Sequence, residues 1–411
     1  MLDELGAARG HQQVLKSVNK MALVRALCRH PGLSRSDLAT TVQLTKSTVS
    51  ILVRELVEEG WLVESEVLAT GDLGRRPTPL FIDPTRLVLI GGEVGIDGVR
   101  VVATSLTGEI LAHARAGYGA SRSANACIGV LASAMQKLLR QIDVQTQRVV
   151  GIGVGVPGGV SEANGMLHFA PNLKWKAVPV IELLRKRLEG TPLESVPLCI
   201  QNEADVAAVG ELEFNREQVA DPLLYVSVNQ GVGAGVIVDE RLLTGHRGFA
   251  GEVGHMVLDA GGPLCSCGRH GCAEALIGPR AMAPGVPNDL ALKQVQHLVA
   301  EGDEATLDAV ERSGAYLGVL LQNLAAAYDP GCIVLGGALV ELGDAFLRPA
   351  LRTLGEYASA AGFAAPQVRL SRYGADAVAL GAAGLVRYRL TRTLIEARSV
   401  GDRELALADV V

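Results

Sequence analysis

From Met21 the chain sets Leu23 and Leu27 one turn apart among charged and small residues, the spacing of an amphipathic helix, and Pro31-Gly32 stops it. Ser34-Arg35-Ser36-Asp37 is a capping-box variant and predicts a second, short helix ending near Thr41. A tight turn through Val42-Gln43-Leu44 follows. Thr45 is then the N-cap of a third helix running to about Glu59, with Val49, Leu52, Val53 and Leu56 on its inner face and Lys46, Ser47, Ser50 and Arg54 on the leading, outer side. After Gly60, extended stretches at 61–66 and 78–83 flank the segment LATGDLGRRP, which predicts a β-hairpin whose tip carries Arg75 and Arg76.

Two helices across so short a turn, the second opening with small polar and basic residues, form a helix-turn-helix pattern. Short Ser and Thr side chains permit close approach to a major groove, while Lys and Arg reach phosphates or guanine edges. An arginine-tipped hairpin suits the narrow, electronegative minor groove. The same pattern fits a three-helix bundle used for protein contact. The coincidence of cap, turn, basic outer face and basic tip favours a winged helix-turn-helix, with Arg35, Thr45, Lys46, Ser47, Thr48, Ser50, Arg54, Arg75 and Arg76 as candidate DNA contacts.

From Leu87 the pattern changes. LVLIGGEVGIDGVRVVATSLTGEILAHA alternates β-rich runs with turn residues, predicting three antiparallel strands; LLYVSVNQGVGAGVIVDERLLTG later repeats the arrangement. Each is followed by helical segments and a further strand, VVGIGVGVPGGV after the first and CIVLGGAL after the second. This internal duplication implies two similar lobes facing one another across a ligand-binding cleft.

Composition agrees. Among 411 residues, 48% are hydrophobic and 20% charged, enough for large cores and unlike a disordered chain. No uninterrupted apolar run of membrane-spanning length occurs and the amino terminus lacks a signal pattern, so the expectation is a cytoplasmic protein without a membrane partner. The net charge of −6 argues against a protein that coats nucleic acid, yet residues 1–54 hold eight Lys/Arg against three Asp/Glu. A basic head on an acidic body fits a small anion-binding module joined to something else.

Chemistry concentrates in GEVGHMVLDAGGPLCSCGRHGCAE, residues 251–274. Cys265, Cys267 and Cys272 with one histidine make a closed Cys3His set, which suits structural zinc and leaves no open position for catalysis. Gly268 and Gly271 permit the loop to fold sharply enough to gather the sulfurs. Both His255 and His270 are in reach as the fourth ligand. A disulfide reading is weak in a reducing compartment, and a catalytic thiol has no dedicated base nearby. The other cysteines, Cys28, Cys127, Cys199 and Cys332, sit among apolar neighbours as inert core thiols.

The two glycine turns, GVPGGV, NLKW, QNEADVAAVGE, GHRGFAGEVGHMVLD, CSCGRHGC and VLGGAL occur in the order seen in the ROK family of repressors, open reading frames and sugar kinases, which this chain resembles over nearly all of 20–390. The resemblance implies an α/β fold: an N-terminal winged helix-turn-helix at 1–84, then a two-lobed actin-like ATPase (ribonuclease H-like) body. Its lobes would span 85–200 and 201–390, with an extension at 391–411. It selects His255 as the fourth metal ligand and implies a sugar site of Gly158, Asn172, Asn202, Glu203, Glu252, His255 and Glu274. Zinc would then fix the direction of His255 while its other ring nitrogen faces the sugar.

Kinases of that family carry an Asp-x-Gly-Gly-Thr phosphate turn and an Asn-Asp pair whose Asp is the general base. Here the corresponding residues are Glu93-Val94-Gly95-Ile96-Asp97 and Asn202-Glu203. The first departure puts a branched side chain where backbone must approach phosphate; the second displaces a carboxylate by about 1 Å, enough to cost on the order of a hundredfold. The expectation is a non-enzymatic, sugar-responsive regulator, a repressor, acting on operator DNA as a homodimer or tetramer, with Asp83-Pro84 as the transmission point. An active kinase with a DNA-binding head and a regulator controlled by a protein partner are the alternatives.

Overall fold

The computed structural model describes residues 2–65, 78–215 and 220–400. A long helix, Leu2–Arg29, opens the chain and begins well before the periodicity at Leu23 announces it. Arg35–Thr41 starts on a complete capping box: the Ser34 hydroxyl accepts from the Asp37 amide, and the Asp37 carboxylate accepts from the Ser34 amide. These bonds hold the Asp37 carboxyl below its ordinary range. The turn is closed by Gln43 at a φ of 56°, and Lys46–Glu58 follows with Thr45 capping the Thr48 amide. Val49, Leu52, Val53 and Leu56 are buried, as their spacing requires. The wing strands Leu62–Glu64 and Leu80–Ile82 are antiparallel and shorter than the extended stretches of sequence.

Both lobes contain a five-stranded sheet of one design. In the first, the meander Leu87–Val94, Gly98–Ser105, Ile110–Gly117 is antiparallel, and Arg148–Val156 and then Leu198–Asn202 add in parallel to its inner strand. In the second, Leu223–Val228, Val232–Val238 and Arg241–Leu242 form the meander, extended in parallel by Cys332–Gly336 and Gln367–Leu370. Leu198–Asn202 pairs within the first sheet, so the lobe junction falls after it and not at 200/201. Likewise the last helix, Ala377–Val400, runs through the expected boundary at 390 without a break. It packs on the first sheet and on helix Glu203–Phe214.

The head does not hang on a loose tether. Leu27, Leu56 and Leu80 share one buried apolar cluster with Leu89, Val150, Leu380 and Val386 of the body. The linker is a closed turn in which the Asp83 carboxylate accepts from the amide and hydroxyl of Thr85.

Candidate functional site

The lobe junction gathers residues from five segments. Gly158 follows strand Arg148–Val156; Asn172 lies in the single turn Pro171–Leu173; Asn202 and Glu203 join strand Leu198–Asn202 to its following helix. From the second lobe, Glu252 and His255 bracket the turn Val253–His255, and Glu274 sits in the first turn of Ala273–Ile277. All seven line one cleft, so the structure brings together every residue the family resemblance put in the sugar site. The cleft has a volume of only about 50 Å³, room for a few waters. A sugar ring is larger than this space.

Local bonding fixes the cleft. Asn202 caps its helix by accepting from the Ala204 amide at 2.7 Å and donates to the Gly158 carbonyl at 2.9 Å, which ties two first-lobe segments together. Acidic groups crowd the same space. Burial, reinforced by Glu93, Glu252 and Glu274, pushes the Glu203 carboxyl up to about 8. Burial, reinforced by Glu274, pushes Glu252 to about 7. Carboxyls poised near neutrality can donate to or accept from vicinal hydroxyls, which suits a polyol.

Beside the cleft, His255, Cys265, Cys267 and Cys272 place one ligand atom each within 4.8 Å of the others. His255 Nδ1 lies 3.7 Å from Cys265 Sγ, and Cys267 Sγ lies 3.7 Å from Cys272 Sγ. The ligand separation around a tetrahedral ion with bonds of about 2.3 Å is about 3.8 Å, so the donor set fits a metal. Gly271, at a φ of 66°, makes the gathering possible; a Cβ there would lie 1.4 Å from the Asp259 carbonyl oxygen. His270 points elsewhere, its Nδ1 within 3.1 Å of the Gly262 carbonyl. The remaining ring nitrogen of His255, Nε2, is 4.0 Å from the Glu252 carboxylate. One imidazole thus faces the thiols on one side and the cleft on the other. The other four cysteines are free, and burial raises each of their thiols, as expected of unreactive packing groups.

In the head, Lys46, Ser47, Ser50 and Arg54 are exposed along one side of the third helix. Thr45 and Thr48 spend their hydroxyls on the helix cap, and Arg35 is paired with Glu64 on the wing. Arg75 and Arg76 lie outside the described residues.

Several site features escaped the sequence reading. Asp205, in the first turn of the helix that Asn202 caps, is 2% exposed with its Oδ1 unpartnered. Its signal was an acid flanked by apolar residues in QNEADVAAVG. Arg100, directly across the strand pair from Glu93, donates to its carboxylate at 3.2 Å and to the Ala375 carbonyl at 3.0 Å. The first turn is further clamped: Tyr118 donates to the Gly95 carbonyl and Arg122 to that of Ile96.

A two-lobed actin-like body bearing a winged helix-turn-helix, with a cleft between the lobes, defines a DNA-binding transcriptional regulator with a sugar-kinase-like body. Residues 89–389 match the ROK family and residues 17–67 the MarR family, and the chain belongs to the ROK family. It is 30% identical over 334 residues to the xylose repressor of Bacillus subtilis, covering 80% of this chain and 84% of that one. It is 27% identical over 394 residues to the xylose repressor of Caldicellulosiruptor bescii, covering 92% and 97%. Among solved structures, a ROK family transcriptional regulator homologous to the Escherichia coli MLC protein shares the fold, with a TM-score of 0.74 at 22% identity over 95% of this chain and 100% of that one.

Proposed function

We propose that this chain is a sugar-responsive repressor whose effector enters the cleft at His255, with xylose the first candidate from the names of its relatives. The observation that carries the reading is the two-sided placement of His255, with Nδ1 among the thiols and Nε2 toward Glu252. Bound zinc would hold the imidazole ring and its tautomer fixed, leaving Nε2 to hydrogen-bond a hydroxyl beside Glu252 and Glu274. Asn202 and Glu203 would contact the same ligand from the first lobe.

The change in lobe arrangement on sugar binding then needs a route to the DNA. The helix beginning at the cleft, Glu203–Phe214, carries Glu213 in its last turn, where it pairs with Arg387 and Arg392 of the C-terminal helix. All three side chains are buried, so the two helices are fixed to one another. The chain acts as a homodimer on a two-fold symmetric operator, with half-sites spaced by multiples of about 34–36 Å. A sugar that prefers the non-operator arrangement releases DNA, with coupling of about 1–3 kcal/mol.

The body has no useful kinase activity in this reading. Glu203, held near 8, keeps the basicity a general base needs. The phosphate side of the cleft lacks the rest, because Glu93 is ion-paired with Arg100 and the Gly95 amide, a donor that a phosphate would need, is spent on the Gly98 carbonyl. A thermal-shift series with monosaccharides, followed by operator titration with and without the sugar that binds, tests the regulator. A coupled assay with ATP, Mg and the same sugar tests the kinase alternative, and turnover of about 1–100 per second would overturn the reading.

A further inference from the structure

Beyond Glu274 the cleft adjoins a second cavity of about 750 Å³. That lies within the roughly 300–1,000 Å³ of small-molecule sites, whereas the cleft proper holds about 50 Å³. Asn172 and Glu274 line both spaces and stand at the junction. Their Nδ2 and Oε2 atoms would come within 3.3 and 3.1 Å of a Cβ added to Gly231, so any larger residue there would crowd the passage.

The wall of this cavity includes Gln230, only 9% exposed, whose Oε1 has no hydrogen-bond partner. A buried acceptor left unpaired costs about 1–3 kcal/mol; Oε1 is shut off from solvent, and a turn of the amide toward the cavity would bring it to a ligand hydroxyl, which supplies the donor it lacks. The charged lining comprises Asp259 and Glu274 against Arg280 and Arg312, which balance. Neither arginine is ion-paired among the described residues, so both forks are available to hydroxyls. Tyr316 adds an aromatic surface of the kind on which a sugar ring rests. Balanced charge suits a neutral, hydroxyl-rich ligand.

We propose that this cavity is a second sugar subsite, so that the effector is a glycosidically linked disaccharide or short oligosaccharide. Its first ring occupies the His255 cleft, the linkage passes Asn172 and Glu274, and the second ring lies against Gln230, Arg312 and Tyr316. The inference rests on the sugar-effector reading and deepens it.

Calorimetry on the full chain with xylose against xylobiose, and glucose against cellobiose, provides the test. The expected result is a disaccharide bound at least tenfold more tightly than its monosaccharide. Arg312→Ala, at an exposed position that leaves the fold intact, and Gln230→Ala should each erase about tenfold of disaccharide affinity and change monosaccharide affinity less than twofold. Equal affinity for one ring and two, or variants that weaken both alike, overturns the subsite and leaves the sugar-effector reading standing. A disaccharide preference untouched by both variants overturns this placement of the second ring. Silence toward all four sugars overturns the subsite and the sugar reading together.

Discussion

Glu240, at the turn between strands Val232–Val238 and Arg241–Leu242 of the second lobe, is ion-paired to Arg29 in the long helix of the head. Arg25 reaches the same carboxylate, and Arg392 of the C-terminal helix approaches it at 3.9 Å. Since Arg392 also holds Glu213, charged groups link the helix that starts in the cleft to the helix that supports the DNA-reading surface. The linker at Asp83-Pro84 is thus accompanied by a second connection between body and head.

Replacing Glu240 with Gln should therefore uncouple more than it unfolds. Sugar affinity and metal content should stay within about twofold of wild type. The change in operator affinity on adding sugar, about 5–150-fold for ordinary coupling energies, should shrink toward threefold or less. Fluorescence anisotropy with labelled operator, with and without sugar, reads it; undiminished release would show that Glu240 carries no signal.

Cys267 is the most accessible of the three clustered thiols, and its replacement by Ala should expel the metal with the least damage to packing. Stoichiometric zinc in wild type and none in the variant is the expected elemental analysis, together with loss of the sugar-induced thermal shift and largely preserved far-UV helicity. Full zinc in the variant would mean that the ligand set is different.

Lys46→Ala and Arg54→Ala should each weaken operator binding and reduce the slope of log affinity against log salt by about one. Both side chains are exposed and lie away from the buried face of their helix. Arg75→Ala with Arg76→Ala should lower the slope by about two if both reach phosphate. An unchanged slope would remove the residue concerned from the interface.

Glu203 gives a pH signature. Its carboxyl titrates at about 8 in the folded chain against an ordinary 4.5, so folding takes up a proton between those values. Stability must then fall as pH rises through that window. Relative to Glu203→Gln, wild type should lose about 4 kcal/mol between pH 4.5 and 8, visible as a melting temperature that drops faster with pH. Parallel curves for the two proteins would place Glu203 in solvent.

Local features were legible because they are written in consecutive residues. Ser34 and Asp37 announced a cap, Thr45 a helix start, and the glycine turns both meanders. The spacing of Cys265, Cys267 and Cys272 announced a clamp. The residues proposed for the sugar site came from family motifs and not from pattern, since Glu252 or Glu274 taken alone reads as a solvated acid. What stayed hidden is long-range. Arg25 and Glu240 are 215 residues apart and each looks like an ordinary surface charge. The start of the first helix at Leu2 carries no strong apolar stripe, and the orphaned Gln230 Oε1 becomes visible only when its surroundings are assembled.

Because Leu27, Leu56 and Leu80 are buried together with Leu89, Val150 and Leu380, the boundary between reader and sensor is a sealed joint. Excising the first 84 residues would strip oily side chains bare on both fragments. A chimaera that grafts this reader onto a foreign sensor must import the matching patch of the C-terminal helix as well, or it will precipitate. Specificity for an operator and specificity for a metabolite are therefore inherited here as one package.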